Sequence, residues 1–335
     1  MAGRAEIKQI KDTHKEAILS KANVVGVGTG YKISKGVQTS EMCLVTLVRQ
    51  KMPLDGLSPQ SVVPKQLDGV LTDVVEVGDL RALQARTDRW RPAPGGVSIG
   101  HYQITAGTLG AVVRDRTSGE RLILSNNHVL ANSNSANAGD PILQPGTADG
   151  GTTSADTIAH LERFVTIQFS LEPGNCSIAS SFAEVGNAIA SLLGSTHRVQ
   201  TIRANPQATN LVDCAVARPV NSVDVLDEIL EIGTVSGTVE ATLGMAVRKS
   251  GRTTGLTTGV ITVLDATVNV SYGTGRVAQF DNQIVAGPMS QGGDSGSLVV
   301  AGDALKAVGL LFAGSDQSTI FNPIQAVLDG LSVTI

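Results

Sequence analysis

The sequence of 335 residues contains no long hydrophobic run and no excess of positive charge. No stretch approaches the roughly 18 apolar residues that a membrane-spanning helix needs, and the charged start, residues 1–8, leads into no apolar signal-peptide core. A net charge of −4 offers no broad basic surface to nucleic acid or anionic lipid. We therefore expect a soluble globular protein that binds neither membranes nor nucleic acids.

Cysteine is scarce, and its number is odd: Cys43, Cys176 and Cys214 are spread widely along the chain. The cysteines of a disulfide framework are normally even in number. Two of these three lie in apolar runs, which favours buried free thiols in a reducing compartment. We expect a cytoplasmic protein.

Glycine, in contrast, is abundant, with 37 residues, and valine and threonine are frequent between residues 97 and 320. Many short strands joined by turns have this composition. The length exceeds that of a usual single domain and indicates two domains or one large unit with an appendage.

The most informative segment is Gly293-Asp294-Ser295-Gly296-Ser297. A serine hydroxyl is a poor nucleophile until a neighbouring base takes its proton, and its attack on a carbonyl creates an oxyanion that needs hydrogen-bond donors. Glycines on both sides of the Asp-Ser pair allow a tight turn that aims the amides of Gly293 and Ser295 at one point. The segment predicts the nucleophile Ser295 together with its oxyanion hole.

A histidine and a carboxylate that complete such a site lie upstream. His128 ends a polar turn after the hydrophobic strand 122–124, and Asp213 interrupts the apolar, β-prone run 211–217. The chain order His, Asp, Ser differs from the order Ser, Asp, His of α/β-hydrolases. No histidine follows Ser295, and Ser297 stands where the hydrolase elbow Gly-x-Ser-x-Gly has its second glycine, so that class is excluded.

Other residues compete for the same roles. Asp140 and Asp156 are alternative acids, but Asp140 lies in a Gly-Asp-Pro turn, where aspartate commonly bonds to its own backbone. A carboxylate inside a strand is costly without a partner, and orienting His128 would offset that cost for Asp213 through a charge-assisted hydrogen bond. Three histidines lie outside any strand-to-turn context: His101, His160 and His197.

At these three places the chain resembles the trypsin/chymotrypsin superfamily. His128 lies in a counterpart of its Thr-Ala-Ala-His segment, Asp213 in one of Asp-Ile-Ala-Leu, and Ser295 in Gly-Asp-Ser-Gly. Residues 249–255, Lys-Ser-Gly-Arg-Thr-Thr-Gly, are similar to a hairpin of α-lytic protease and the streptogrisins. Residues 308–315, Val-Gly-Leu-Leu-Phe-Ala-Gly-Ser, are similar to the family strand Val-Gly-Ile-Val-Ser-Trp-Gly-Ser, which holds the substrate backbone.

The resemblance covers roughly residues 96–335. The longer pattern, an N-terminal module followed by Ser-Asn-Asn-His and Gly-Asp-Ser-Gly-Ser, narrows it to bacterial proteins similar to the plant narrow-leaf serine proteases. It implies a mainly β, chymotrypsin-like double β-barrel and a serine endopeptidase that works on proteins or peptides through an acyl-enzyme. The implied triad is His128, Asp213 and Ser295, with no metal and no organic cofactor.

The resemblance also implies a substrate pocket. Its floor comes from the residue six before the nucleophile, Met289, where trypsins have aspartate. Met289 and Ser290 would give a neutral, soft pocket. One wall would consist of Phe312, Ala313 and Gly314, so we expect cleavage after an apolar or small residue.

In trypsin the aspartate before the serine pairs with a freed N-terminus. Asp294 has no Ile-Val-Gly-Gly-like sequence to supply that partner, so we expect a different one. A latent enzyme, or a non-catalytic scaffold that acts through protein–protein contacts, is the alternative function. Homo-oligomers or a regulatory partner would then use the N-terminal module.

The chain divides into an α/β module (1–79), a linker (80–95) that holds Trp90 and two prolines, and a protease domain (96–335) with an insertion at about 155–210. A helical periodicity over 177–193 predicts an inserted helix that covers the active site, binds a partner or packs on the module. Asn322 and Pro323 predict the N-cap and first residue of a C-terminal helix.

Overall fold

The computed structural model describes residues 2–34, 36–78, 80, 84–273 and 275–335. The chain forms two compact units, Met1–Gln84 and Ala85–Ile335. The elements of the first unit are α1 (Arg4–Leu19), β1 (Val24–Ser34), β2 (Val37–Val48), a 3-10 turn (Leu54–Gly56), β3 (Gln66–Leu67) and β4 (Val70–Glu76).

The first unit is one helix on a four-stranded sheet of order β1-β2-β4-β3. β1 and β2 are antiparallel, whereas β2 and β4 run parallel. The helix forms because its apolar residues recur on one face. Ile7 and Ile18 are buried there and pack with Leu44 and Val70 of the sheet.

The second unit has the remaining elements. The strands up to the middle of the unit are β5 (Ala93–Gly95), β6 (Ser98–His101), β7 (Gly107–Thr108), β8 (Ala111–Asp115), β9 (Arg121–Ser125), β10 (Pro141–Leu143), β11 (Thr157–Phe164), β12 (Leu171–Pro173), β13 (Ile202–Ala204) and β14 (Ala215–Pro219). The later strands are β15 (Val225–Ile229), β16 (Gly233–Thr234), β17 (Ala246–Gly251), β18 (Gly255–Ser271), β19 (Val277–Ala286), β20 (Leu298–Ala301), β21 (Ala307–Gly314), β22 (Thr319–Pro323) and β23 (Val333–Thr334). The helices are α2 (Asn127–Leu130), α3 (Ser177–Leu192) and α4 (Ile324–Leu331), with 3-10 turns at Thr147–Asp149 and Ser222–Asp224.

Two eight-stranded sheets dominate the second unit. The first has the order β23-β8-β9-β14-β11-β10-β6-β7, and the second β13-β12-β19-β18-β17-β20-β21-β22. β22 pairs with both β21 and β19, which closes six strands of the second sheet into a ring. With 41% strand and 16% helix, the protein is mainly β, and the predicted double β-barrel is confirmed.

The two barrels share a core. Leu124 and Val216 of the first sheet, Leu298 and Leu310 of the second, and Val327 of α4 are all buried in one apolar cluster. Each barrel also has a cluster of its own. The shared cluster fixes the position of one barrel against the other. It thereby also fixes the turn after β9 in the first barrel relative to the loop between β19 and β20 in the second.

Three local expectations differ from the structure. The second half of the expected linker belongs to the second unit, where Ala93–Gly95 are buried and pair with β15 although Pro94 has no amide hydrogen. Asp213 lies just before β14 and not within a strand. α4 begins one residue later than expected, at Ile324, and the side chain of Asn322 caps nothing because it is used elsewhere.

The inserted helix is present as α3. It buries only Ala183, whereas Phe182 is 77% and Leu192 87% exposed. Its apolar face therefore lies open in this chain. Across the described residues, none of the helices is both long and apolar enough to cross a membrane.

A core substitution tests the shared cluster. Leu310→Ala should lower the free energy of unfolding of the second unit by about 2–5 kcal/mol, because it removes buried methyl groups and leaves a cavity. Denaturant titration followed by Trp90, the one tryptophan of the chain, reports on this unit. The same change at Leu243, which is 66% exposed, should cost at most about 0.5 kcal/mol. Equal stability of the two variants would contradict this packing.

Candidate active site

His128 is positioned by the end of a buried strand. β9 ends at Ser125, and the fully buried Asn126 and Asn127 lead into the short helix α2. The Asn127 side chain donates to the carbonyl oxygen of Val165 at 2.7 Å, which ties this turn to the barrel. Val129 and Leu130 bury into the core of the first barrel, and His128 remains 23% exposed.

Asp213 is fully buried, and its carboxylate accepts three hydrogen bonds. Its carboxylate Oδ2 lies 2.6 Å from His128 Nδ1 and accepts from the hydroxyl of Tyr272 at 2.7 Å. Its Oδ1 accepts from the His128 amide at 3.3 Å, and its own amide donates to the Asn322 side chain at 3.0 Å. The structure thus pairs the predicted histidine with the predicted acid.

The Ser295 loop joins β19 to β20 and turns through two glycines with positive φ, +95° at Gly293 and +94° at Gly296. A Cβ on Gly293 would lie 2.4 Å from Thr253 Oγ1, so only glycine fits. Thr108 binds two carbonyl oxygens of this loop. Its hydroxyl donates to the carbonyl oxygen of Gly293, and its amide donates to that of Ser295.

The amides of Gly293 and Ser295 donate to no acceptor among the described residues. Since a buried or half-buried amide normally has a partner, two free neighbouring amides are available to a ligand oxygen. Their role as an oxyanion hole stays a prediction.

Asp294 forms a second buried charge centre. Its Oδ2 lies 3.0 Å from the ammonium Nζ of Lys249, and both side chains are fully buried. Thr254 Oγ1 donates to the same oxygen at 2.6 Å, and the amides of Thr253 and Thr254 donate to Oδ1 at 2.9 and 3.1 Å. Lys249 is therefore the partner that the sequence left unnamed.

Burial and the charge of the partner act in opposite directions on the pKa of each member of this pair. Burial tends to raise the pKa of Asp294, but hydrogen bonds from Thr254 and the ammonium of Lys249 hold it below its ordinary value. Burial lowers the pKa of Lys249, and the carboxylate of Asp294 offsets this only in part. The carboxylate thus stays ionised and anchors the loop that carries Ser295.

His128 and Ser295 line one cavity of about 730 Å³. Four of the expected pocket residues line it as well: Ser290, Phe312, Ala313 and Gly314. Met289 does not, because its side chain is buried in the core of the second barrel against Gly259. Neither Ser295 Oγ nor His128 Nε2 forms a hydrogen bond with another described residue.

The competing candidates lie outside this cavity. His101 is fully buried and its Nε2 is 3.2 Å from Asp140, while His160 contacts the carbonyl oxygen of Gly139 and His197 is exposed. Asp156 bonds to Arg89 and Thr152. Over the described part of the chain, three or more His, Cys, Asp or Glu side chains never cluster as metal ligands.

Sequence reasoning missed Tyr272 and Lys249. The motif 249–255 drew attention to a hairpin but not to the ammonium at its start. Tyr272 is 59 residues from Asp213 and lies in no recognisable motif. Only the pairing of the strands brings either side chain to its carboxylate.

No known family model and no curated protein sequence matches this chain. Solved structures do resemble it, each over 72% of this chain: a glutamic acid-specific serine protease (20% identity, all of that chain, TM-score 0.46), Nocardiopsis protease (18%, 98%, 0.45) and Cellulomonas bogoriensis chymotrypsin (18%, 97%, 0.43). Likeness at this level says nothing about catalysis, so the candidate site depends on the contacts described above.

The Lys249–Asp294 pair can be tested by removing one charge. Lys249→Met leaves a buried carboxylate without its cation, which should cost about 3–5 kcal/mol of unfolding free energy. The double variant Lys249→Met/Asp294→Asn should recover part of this loss, as a double-mutant cycle measured through Trp90 fluorescence would show. The control is Lys306→Met at an exposed lysine. A Lys249→Met protein as stable as the control would refute the pair's role.

Proposed function

We propose that the second unit is a serine endopeptidase with His128, Asp213 and Ser295 as its triad. The observation that carries the proposal is the 2.6 Å contact between His128 Nδ1 and the buried Asp213, on an imidazole that lines the same cavity as Ser295. With the Nδ1 proton held by the carboxylate, the Nε2 lone pair is free to accept the serine proton.

The chemistry follows from these groups. Ser295 Oγ attacks the peptide carbonyl carbon while its proton passes to His128 Nε2, and Asp213 stabilises the imidazolium. The oxyanion accepts from the free amides of Gly293 and Ser295, and each such donor lowers the barrier by about 3–4 kcal/mol. His128 then protonates the leaving amine, the C–N bond breaks, and water repeats the two steps on the ester.

The hydrogen bond between Ser295 Oγ and His128 Nε2 has to form for the first of these steps. Such catalytic bonds are often long in a free enzyme and tighten when substrate is bound. Both side chains already border the same space, so a rotation about the Cα–Cβ bond of Ser295 is the kind of movement required.

Protein or peptide substrates suit this cavity, with β21 as the strand along which their backbone lies. The lining around Ser290 is made of Leu311, Phe312, Ala313 and Gly314. These are neutral groups, so we propose cleavage after an apolar or small residue even though Met289 is not part of the pocket.

The rival function is a latent enzyme or a scaffold. Lys249 already supplies Asp294 with a cation, which supports activity without cleavage of the chain. Regulation through the N-terminal module, a homo-oligomer or the open face of α3 remains compatible with an active enzyme. The narrower resemblance to the plant narrow-leaf proteases and the cytoplasmic location stay hypotheses.

Loss of the nucleophile tests the proposal. Ser295→Ala should abolish labelling by a fluorophosphonate probe and reduce peptide hydrolysis by at least about 10⁴-fold. Ser154→Ala, at an exposed serine far from these contacts in sequence, should behave as the wild type. A wild-type chain that labels only after a partner is added indicates the latent form. Absence of labelling under every condition would favour the scaffold.

Profiling on a peptide library tests the specificity. We expect cleavage after small or apolar residues by the wild type and by Asp316→Asn alike, because the neutral wall of Phe312, Ala313 and Gly314 sets the cleavage preference. Asp316 is the one carboxylate among the residues that line the cavity. A preference for arginine or lysine that disappears in Asp316→Asn would show that this carboxylate governs the pocket.

A further inference from the structure

The hydroxyl of Tyr272 donates to Asp213 Oδ2, the same oxygen that binds His128 Nδ1. A carboxylate oxygen can accept from two donors at once, and both contacts are short, 2.7 and 2.6 Å. Tyr272 is therefore the only side chain besides His128 that bonds to this carboxylate among the described residues.

Three aromatic contacts hold the Tyr272 ring in place. The ring meets the His128 imidazole edge-on, with centroids 5.9 Å apart at 75°. Phe169 packs at 5.7 Å and 77°, and Phe280 at 6.3 Å. The guanidinium of Arg276 lies over the Phe169 ring, 5.4 Å from its centroid. Such edge-to-face pairs fix the orientation of a ring beyond what burial alone would do.

Backbone hydrogen bonding also fixes the position of Tyr272. Tyr272 follows β18 directly, and its amide donates to the carbonyl oxygen of Arg276 at 3.0 Å, where the chain returns to β19. The hydroxyl thus reaches Asp213 from the hairpin of the second barrel, whereas His128 reaches it from the first.

The Tyr272 hydroxyl keeps its proton. Burial raises its pKa well above the ordinary value of 10, and the charge of Asp213 and the hydrogen bond to it act in the same direction. The group is a permanent donor at physiological pH and adds no negative charge beside His128.

Solvent is excluded from the Asp213 carboxylate. The Tyr272 ring lines the cavity, while the Asp213 side chain has no exposed surface. The ring lies against the His128–Asp213 contact, so the carboxylate interacts with fixed donors and not with solvent. Charge interactions are stronger where water is excluded.

We propose that Tyr272 is a positioning residue of the triad, which fixes the Asp213 carboxylate and, through it, the orientation of the His128 imidazole. This inference rests on the proposed serine-protease function. The hairpin β18–β19 then contributes to catalysis without touching the reacting atoms, and the triad is completed by a fourth side chain from the second barrel.

The test is Tyr272→Phe, which removes the hydroxyl and keeps the ring, with Tyr102→Phe as the matched control. We expect the rate constant of fluorophosphonate labelling, and kcat for a peptide, to fall by about 10-fold, since a hydrogen bond to a charged group is lost. KM should stay within about twofold of the wild-type value. The denaturation midpoint reported by Trp90 fluorescence should equal that of the control variant.

A spectroscopic readout separates positioning from mere packing. The far-downfield proton resonance of His128 Nδ1 should move further downfield in Tyr272→Phe, because Asp213 then has one donor fewer and accepts more strongly from the imidazole. An unmoved resonance, or a labelling rate equal to that of the control, would overturn the inference. If the wild type is not labelled at all, the proposed function fails, and the resonance alone decides on Tyr272.

Discussion

A carboxylate without contact to water has to be surrounded by donors, and the geometry of the candidate site depends on this requirement at Asp213. The donors to the carboxylate come from different parts of the second unit: His128 from the turn after β9 and Tyr272 from the β18–β19 hairpin. The Asp213 amide donates to the side-chain oxygen of Asn322 in β22. Asn322 in turn donates to the buried Gln283 at 2.7 Å. Asp213 therefore joins the two barrels at the point where the chemistry is proposed to occur.

Asp294 repeats the arrangement beside the nucleophile. Its buried carboxylate gathers Lys249, two threonines and the start of its own loop, and the glycines at 293 and 296 allow the backbone to turn around it. Each buried acid would destabilise the protein without its donors, and each positions one half of the site. Within the loop that is anchored in this way, the amides of Gly293 and Ser295 have no acceptor among the described residues.

The sequence predicted the parts of the site that have local signals. Glycines around Ser295, and a hydrophobic strand before His128, leave a pattern over a few residues. The abundance of glycine, valine and threonine indicates many short strands, whereas the double barrel was implied by the resemblance of the motifs to a known family. The parts that were missed depend on tertiary packing. The Met289 side chain is buried in the core because Gly259 leaves room for its sulfur. The Asn322 side chain accepts a hydrogen bond from the Asp213 amide and therefore does not cap the helix. Tyr272 becomes a neighbour of Asp213 only through the pairing of strands.

The central claim is that Ser295 and the two free amides form one reaction centre with His128. The most direct measurement is a crystal structure of the chain after reaction with a phosphonate inhibitor. We expect a covalent bond between phosphorus and Ser295 Oγ, a phosphoryl oxygen within hydrogen-bond distance of the amides of Gly293 and Ser295, and His128 Nε2 next to the adduct. An adduct on another residue, or a phosphoryl oxygen directed away from both amides, would contradict the proposed mechanism.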